Sequence, residues 1–223
     1  MERTIAAGGT GEPLATRWKI LLVLFTVFVV SDQLTKFWAV SRLTRTFQVQ
    51  QAATLSEEVD VFLSAHKLER LRTPPVVVLE DYWQFRYVEN PGAAWGILGR
   101  MPDGVRIPFF HVVSAVAICF IVIFFKRLEE HQRLLQVALS MVLGGAVGNF
   151  IDRLLRGYEI DFIDWHWRND PDLHWPTFNV ADSGISVGVV LMLLEGLLVR
   201  KGASQAAGML PATDAIPPET TGA

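Results

Sequence analysis

Apolar positions along the chain gather into four runs, near 20–40, 107–125, 134–155 and 178–199. Each is roughly 19–22 residues long, about what a helix needs to cross a hydrocarbon core. A soluble surface helix keeps a charged face, whereas IPFFHVVSAVAICFIVIFF (107–125) is apolar almost all round. The pattern predicts an all-α membrane bundle of four transmembrane helices. Residues 18–200 form that unit, between an N-terminal tail (1–17) and a small, polar, proline-bearing tail (201–223) expected to be disordered.

The connections carry a different pattern. Within 41–106, SEEVDVFLSAHKLERL (56–71) is polar and helix-compatible, and Pro74 and Pro75 end it. VVVLE and YWQFRYV follow, β-branched and aromatic, and predict two short strands. A small β-rich cradle is therefore expected between helices 1 and 2. The 156–177 connection, RGYEIDFIDWHWRNDPDLHWPT, is rich in Tyr and Trp and suits the membrane–water boundary as an interfacial anchor.

Charge orients the bundle. Arg17 and Lys19, then Lys126, Arg127 and Arg133, then Arg200 and Lys201 flank alternate helix ends. The positive-inside rule puts those regions and both termini in the cytoplasm. The run after Arg17 and Lys19 resembles a secretory leader, but it lacks a small-residue cleavage site and continues through SDQLTKFWAV. It reads as a retained span. A net charge of −3 offers no basic footprint for nucleic acid. The single cysteine, Cys119, permits no intrachain disulfide and reads as a packing residue.

Ionisable groups inside spans cost about 2.5–3.5 kcal/mol each on insertion scales, so those present are paired or at work. Four stand out: Asp32 and Lys36 in the first span, Asp152 late in the third, Asp182 early in the fourth. Asp32 and Lys36 lie one helical turn apart and predict an organising ion pair. Asp152 lies roughly 27 Å along its outward-running helix, and Asp182 sits about one turn into its inward-running one. Both then lie just beneath the outer surface. Two carboxylates held close share a proton, which suits water-mediated amide hydrolysis with no covalent intermediate. Spacing alone leaves an equal alternative, in which each Asp pairs with an Arg (Arg153 is adjacent to Asp152) or caps a helix. Asn149 and Asn179, each three residues before an aspartate, are candidates to orient the carboxylates. Gly144, Gly145 and Gly148 allow close helix approach.

At these residues the sequence resembles the bacterial lipoprotein signal peptidases, the signal peptidase II family of four-span aspartic peptidases. The matching blocks run in order: SDQLTK, NPGAAWGIL, GNFIDRLLRGYEIDFIDW and FNVADSGISVG. They cover roughly residues 18–200. The resemblance implies that Asp152 and Asp182 are the catalytic dyad and that Asn149, Arg153, Asn179 and Ala181 support it. It implies that Asn90 and Gly92 contact substrate and that Asp32 and Lys36 form the first-helix motif. It further implies removal of signal peptides from diacylglyceryl-prolipoproteins, before the lipidated cysteine, at the outer face of the bacterial inner membrane. No cofactor or metal is implied, the partners are lipidated substrate and membrane lipid, and globomycin-type cyclic peptides are the expected inhibitors. Nothing calls for more than a monomer. A bottom-up reason for the substrate is depth, since acyl chains hold a scissile bond at the level of the dyad, each buried methylene contributing about 0.8 kcal/mol.

The segment around Gln48–Pro75 is longer than the family's usual first outer connection. It reads either as an amphipathic surface helix or cover, or as a poorly ordered insert. Two other functions compete with this reading. A small transporter would spread ionisable groups through the membrane depth, whereas the inner halves of spans three and four carry only Glu195. A metal-dependent hydrolase would draw on His166, His174, Asp161, Asp164, Asp170 and Asp172, but no H-E-x-x-H signature is present.

Overall fold

The computed structural model describes residues 15–208 apart from 65, 93–96, 169 and 171–172, with side chains through residue 198. The elements are α1 (Thr16–Leu43), α2 (Thr46–Val49), α3 (Leu55–Ser64), a 3₁₀ turn (Leu68–Leu71), β1 (Val76–Leu79) and β2 (Trp83–Asn90). Then come α4 (Asp103–Lys126), α5 (Arg133–Arg156), β3 (Glu159–Trp165) and α6 (Val180–Gly208). Among the described residues α1, α4, α5 and the Val180–Leu198 part of α6 are long and apolar enough to cross a membrane. Half of the apolar window of α5 is buried, against 11% in α1 and in α4, so α5 is the hub and the others present apolar faces outward. Exposed Leu22, Val27, Val112, Phe120, Leu193 and Leu197 suit a lipid solvent, which solvates them as well as a protein core would.

The three strands form one antiparallel sheet in the order β1-β2-β3. Two of them are the strands expected between the first and second spans. The third, β3, comes instead from the connection between α5 and α6, where an interfacial anchor was expected. Its alternation was obscured because both faces are covered, from Glu159 through Phe162. Gly157 makes this strand possible. It caps α5 with φ +78°, a conformation that favours glycine, and its N–H closes the helix on the Arg153 carbonyl. Two residues later the chain is extended.

The long insert is ordered. α3 packs Phe62, and the following turn packs Leu68, into a core with Ala39, Val40 and Leu43 of α1, Tyr87 of β2, and Ile160 and Phe162 of β3. Of the two readings of this segment, the helix is the one observed. A second cluster, Ile121, Phe125, Leu128, Leu139 and Leu143, holds the opposite end of the bundle. The C-terminal tail expected to lose structure from 201 remains helical to Gly208. Residues 1–14 and 209–223 lie outside the described residues, and so does most of the expected N-terminal tail.

Candidate active site

Buried polar groups concentrate where α1 and α5 end, α6 begins and β3 crosses them. Asp32, Lys36, Asp152, Asn179 and Asp164 are fully buried, and Asn149 and Asp161 nearly so. Glycine sets the spacing: a Cβ on Gly148 would lie 2.6 Å from Asp32 Oδ2, and one on Gly145 2.4 Å from the Ala181 carbonyl oxygen. Only hydrogen at these positions lets α1, α5 and α6 converge.

Asp32 and Lys36 pair as expected, with Nζ 2.8 Å from Oδ2. Lys36 also bonds Asp152 Oδ2 at 2.9 Å and donates to Asn149 Oδ1 at 2.9 Å. The other oxygen of Asp32 accepts the Ala181 N–H (3.1 Å), which ties the start of α6 to α1. Ala181 itself is wholly buried.

The pairing expected between Asp152 and Asp182 is not the one the contacts make. Asp152 Oδ1 accepts from Arg156 (3.1 Å) and Oδ2 accepts the Ile160 N–H (3.1 Å) beside Lys36. Two cations and a backbone amide thus surround it. Arg156 is itself fixed by the insert, donating to the Phe62 carbonyl and lying 4.3 Å over the Phe62 ring. The physical reason for these contacts is the chain reversal at Gly157. Depth placed Asp152 near the right level, but β3 carries another carboxylate, Asp161, across the top of α5 toward α6.

Asp161 and Asp182 meet the same two asparagine-bearing elements. Asn179 Nδ2 donates to Asp161 Oδ1 (2.7 Å) and to Asn149 Oδ1 (3.1 Å). Asn149 Nδ2 donates to Asp182 Oδ1 (2.8 Å), and the Asn179 N–H donates to Asp182 Oδ2 (3.1 Å). Asn179 Oδ1 accepts in return from the Asp182 N–H (3.0 Å), a reciprocal cap at the start of α6. Asn90 Nδ2 donates to Asp161 Oδ2 (3.0 Å), and its Oδ1 accepts the Gly92 N–H (3.0 Å). Among these contacts each carboxylate is held by neutral amides. Burial first, and the Asp182 charge second, push the Asp161 carboxyl up to about 8, against the opposing hydrogen bonds of Asn90 and Asn179.

Arg153 salt-bridges Glu159 (2.8 Å), donates to the Gly92 carbonyl (2.8 Å) and lies 4.4 Å over the Phe110 ring. It positions the loop after β2, and among the described residues it forms no salt bridge with Asp152. Burial holds Glu159 well above the usual carboxylate range despite that guanidinium. A largely apolar cleft of ≈ 520 Å³, lined by Trp165, Trp175, Phe178, Ile185 and Val187 together with Thr177, Ser183 and Ser186, includes Asp182 in its wall.

Asp161 enters the sequence reading only as a metal-ligand candidate, not as half of a carboxylate pair. It sits in the quoted GYEIDF block, nine residues beyond Asp152, but an acid in an aromatic loop carries no span-burial signal. The residues weighed as metal ligands divide. Asp164, His166 and His174 cluster, Asp161 faces the opposite way, and Asp172 lies outside the described residues.

The model of the Signal peptidase (SPase) II family matches residues 24–198. A lipoprotein signal peptidase of Anaeromyxobacter sp. (strain Fw109-5) is 48% identical over 196 residues, spanning 86% of this chain and 93% of that one. One from Syntrophotalea carbinolica is 36% identical across 80% and 91% of the two chains. A solved bacterial membrane enzyme superposes with a TM-score of 0.58 at 25% identity, covering 88% of this chain and 95% of its own. This chain belongs to the signal peptidase II family, as a multi-pass membrane protease of lipoprotein signal-peptide processing.

Proposed function

We propose that the chain is an aspartic endopeptidase whose water-activating pair is Asp161 and Asp182. The observation that carries this reading is the pair's setting: a buried carboxylate and a half-buried one at the cleft, both hydrogen-bonded by Asn179, the first holding its proton to about pH 8. Asp152, held by Lys36 and Arg156, is the anchor of the ion cluster beneath. Asp182 as carboxylate takes a proton from a water, and the water oxygen attacks the scissile carbonyl carbon. The Asp161 proton hydrogen-bonds and then neutralises the carbonyl oxygen. Collapse of the tetrahedral diol re-forms the carbonyl as one hydroxyl returns its proton to Asp161, and the expelled amine receives the proton that Asp182 took up. The fixed amides hold both carboxyls without reorganisation.

The substrate in this reading is a diacylglyceryl-prolipoprotein, cleaved before the lipidated cysteine, with acyl chains lying in lipid beside the apolar cleft. The enzyme works as a monomer in the bacterial inner membrane, both termini cytoplasmic and the sheet toward the periplasm. Globomycin-type cyclic peptides compete for the same carboxylates. The test is a purified assay with diacylated and non-lipidated precursors. Asp161→Asn and Asp182→Asn are each expected to abolish cleavage while the protein stays inserted. Asp152→Asn is expected to lose stability before chemistry. Cleavage retained by either of the first two refutes the pair, and equal cleavage of both precursors refutes the lipid requirement.

A further inference from the structure

We propose that Asp164, His166 and His174 form a binding site for a divalent first-row transition ion of the zinc type, separate from the catalytic pair. The backbone brings these side chains together. His166 and His174 face each other across an antiparallel bridge. The flanking hydrogen bonds run from Trp167 N to Leu173 O (3.1 Å) and from Trp175 N to Trp165 O (2.8 Å). The two histidines are therefore a non-hydrogen-bonded pair, the kind in which opposite side chains come closest. Asp164 precedes His166 by two residues and shares its face, while Asp161, an odd number of residues away along a regular strand, points to the other.

One donor atom from each residue lies within 4.8 Å of the others. His174 Nδ1 is 3.2 Å from Asp164 Oδ1. Two ligands bound tetrahedrally to one zinc ion lie about 3.3 Å apart, so this pair needs little movement. His166 is 93% buried by its 7% exposure, and among the described residues its Nδ1 has no hydrogen-bond partner, although it lies 4.0 Å from Asp164 Oδ2. A buried imidazole nitrogen without a partner is costly, and an ion satisfies it. Gln84 (2.7 Å) and Arg86 (2.9 Å) both engage Asp164 Oδ2, which fixes the carboxylate and leaves Oδ1 toward His174. A shallow cleft of ≈ 580 Å³, lined by Trp165, His166, Trp167, Leu173, His174 and Trp175, opens onto the site and supplies an entry path. Two nitrogens and one oxygen with a position open to solvent suit zinc or cobalt over calcium or magnesium. The ion staples the connection that leads from β3 to the Trp175–Phe178 wall of the catalytic cleft.

The test uses the full chain without a polyhistidine tag, purified in detergent, stripped with chelator and titrated with Co²⁺. The expected result is a saturable d–d absorption of tetrahedral Co²⁺ at one equivalent, displaced by Zn²⁺, with quenching of the flanking tryptophans. His174→Ala and His166→Gln are expected to abolish the band while precursor cleavage continues, which shows that they are folded. No saturable band in the unaltered chain overturns the site, as does a band of undiminished strength in both variants.

Discussion

Gly145→Ala tests how tightly the fold sets the distance between α5 and α6. The added Cβ would lie 2.4 Å from the Ala181 carbonyl oxygen and 2.8 Å from Ile185 Cγ1. The Ile185 tip can rotate away. The carbonyl is backbone, and relieving it to an ordinary contact of about 3.4 Å separates the helices by about 1 Å. That shift falls between Asn149, one turn above Gly145, and Asp182, the residue after Ala181. It stretches the Asn149–Asp182 hydrogen bond from 2.8 Å toward breaking. Misplacing a reacting group by about 1 Å can cost on the order of 10²-fold in rate, and overpacking costs about 1–3 kcal/mol of stability. The expected outcome is a kcat lower by about 10²-fold, with a modest fall in the thermal midpoint in micelles. Gly196→Ala, where nothing lies within 4 Å of the added carbon, is the matched control and is expected to be silent. Undiminished turnover of a lipidated precursor by Gly145→Ala refutes the claim that the site depends on this approach.

Raising the pH through about 8 removes the Asp161 proton, so precursor turnover is expected to fall there; a rate that keeps rising past it contradicts the assignment. The same shift makes the native state bind a proton that the unfolded chain releases above its ordinary 3.8, so stability declines between about pH 4 and 8, readable from unfolding midpoints. Lys36→Met leaves Asp32 without its cation and Asp152 with Arg156 alone, for an expected loss of about 3–5 kcal/mol in unfolding free energy. An unchanged midpoint would show that the cluster contributes nothing. Strong chelators are expected to leave turnover intact, because the proposed chemistry is water and carboxylates; loss on chelation and recovery with zinc would favour a metal hydrolase. Cys119→Ala is expected to be silent in the same assay, since the thiol is free and exposed away from the site.

The four spans were legible because lipid demands long apolar stretches; the first three runs lie within their helices, and the fourth, read from 178, starts two residues before α6. The first-helix pair was legible because i,i+4 spacing fixes which side chains meet, and Asp32 and Lys36 do meet. Asn149, Asn179, Asn90 and Gly92 were likewise found in their motifs, and all four bond within the site. What could not be read was a partnership set by a change of direction. Depth along a helix is counted in residues, but Gly157 turns the chain, and only the resulting sheet register puts Asp161 beside Asp182 in place of Asp152. The third strand was missed for a related reason. A strand covered on both faces loses its polar alternation, so EIDFIDW reads as an aromatic loop.

The division of charge explains why one acid of three is the odd one out. Lys36 and Arg156 are matched by Asp32 and Asp152, and that buried cluster is close to neutral. Arg153 is spent on Glu159 and the Gly92 carbonyl. Above them Asp161 and Asp182 receive hydrogen bonds from Asn90, Asn149 and Asn179, which orient a carboxylate but add no charge. Two anions in such a place repel at short range, and amides cannot offset that in a low-dielectric site. A proton can, which is why it stays with the pair at neutral pH. In the proposed mechanism one acid must deliver a proton and the other accept one, and here asparagines, not cations, are their direct side-chain hydrogen-bond partners.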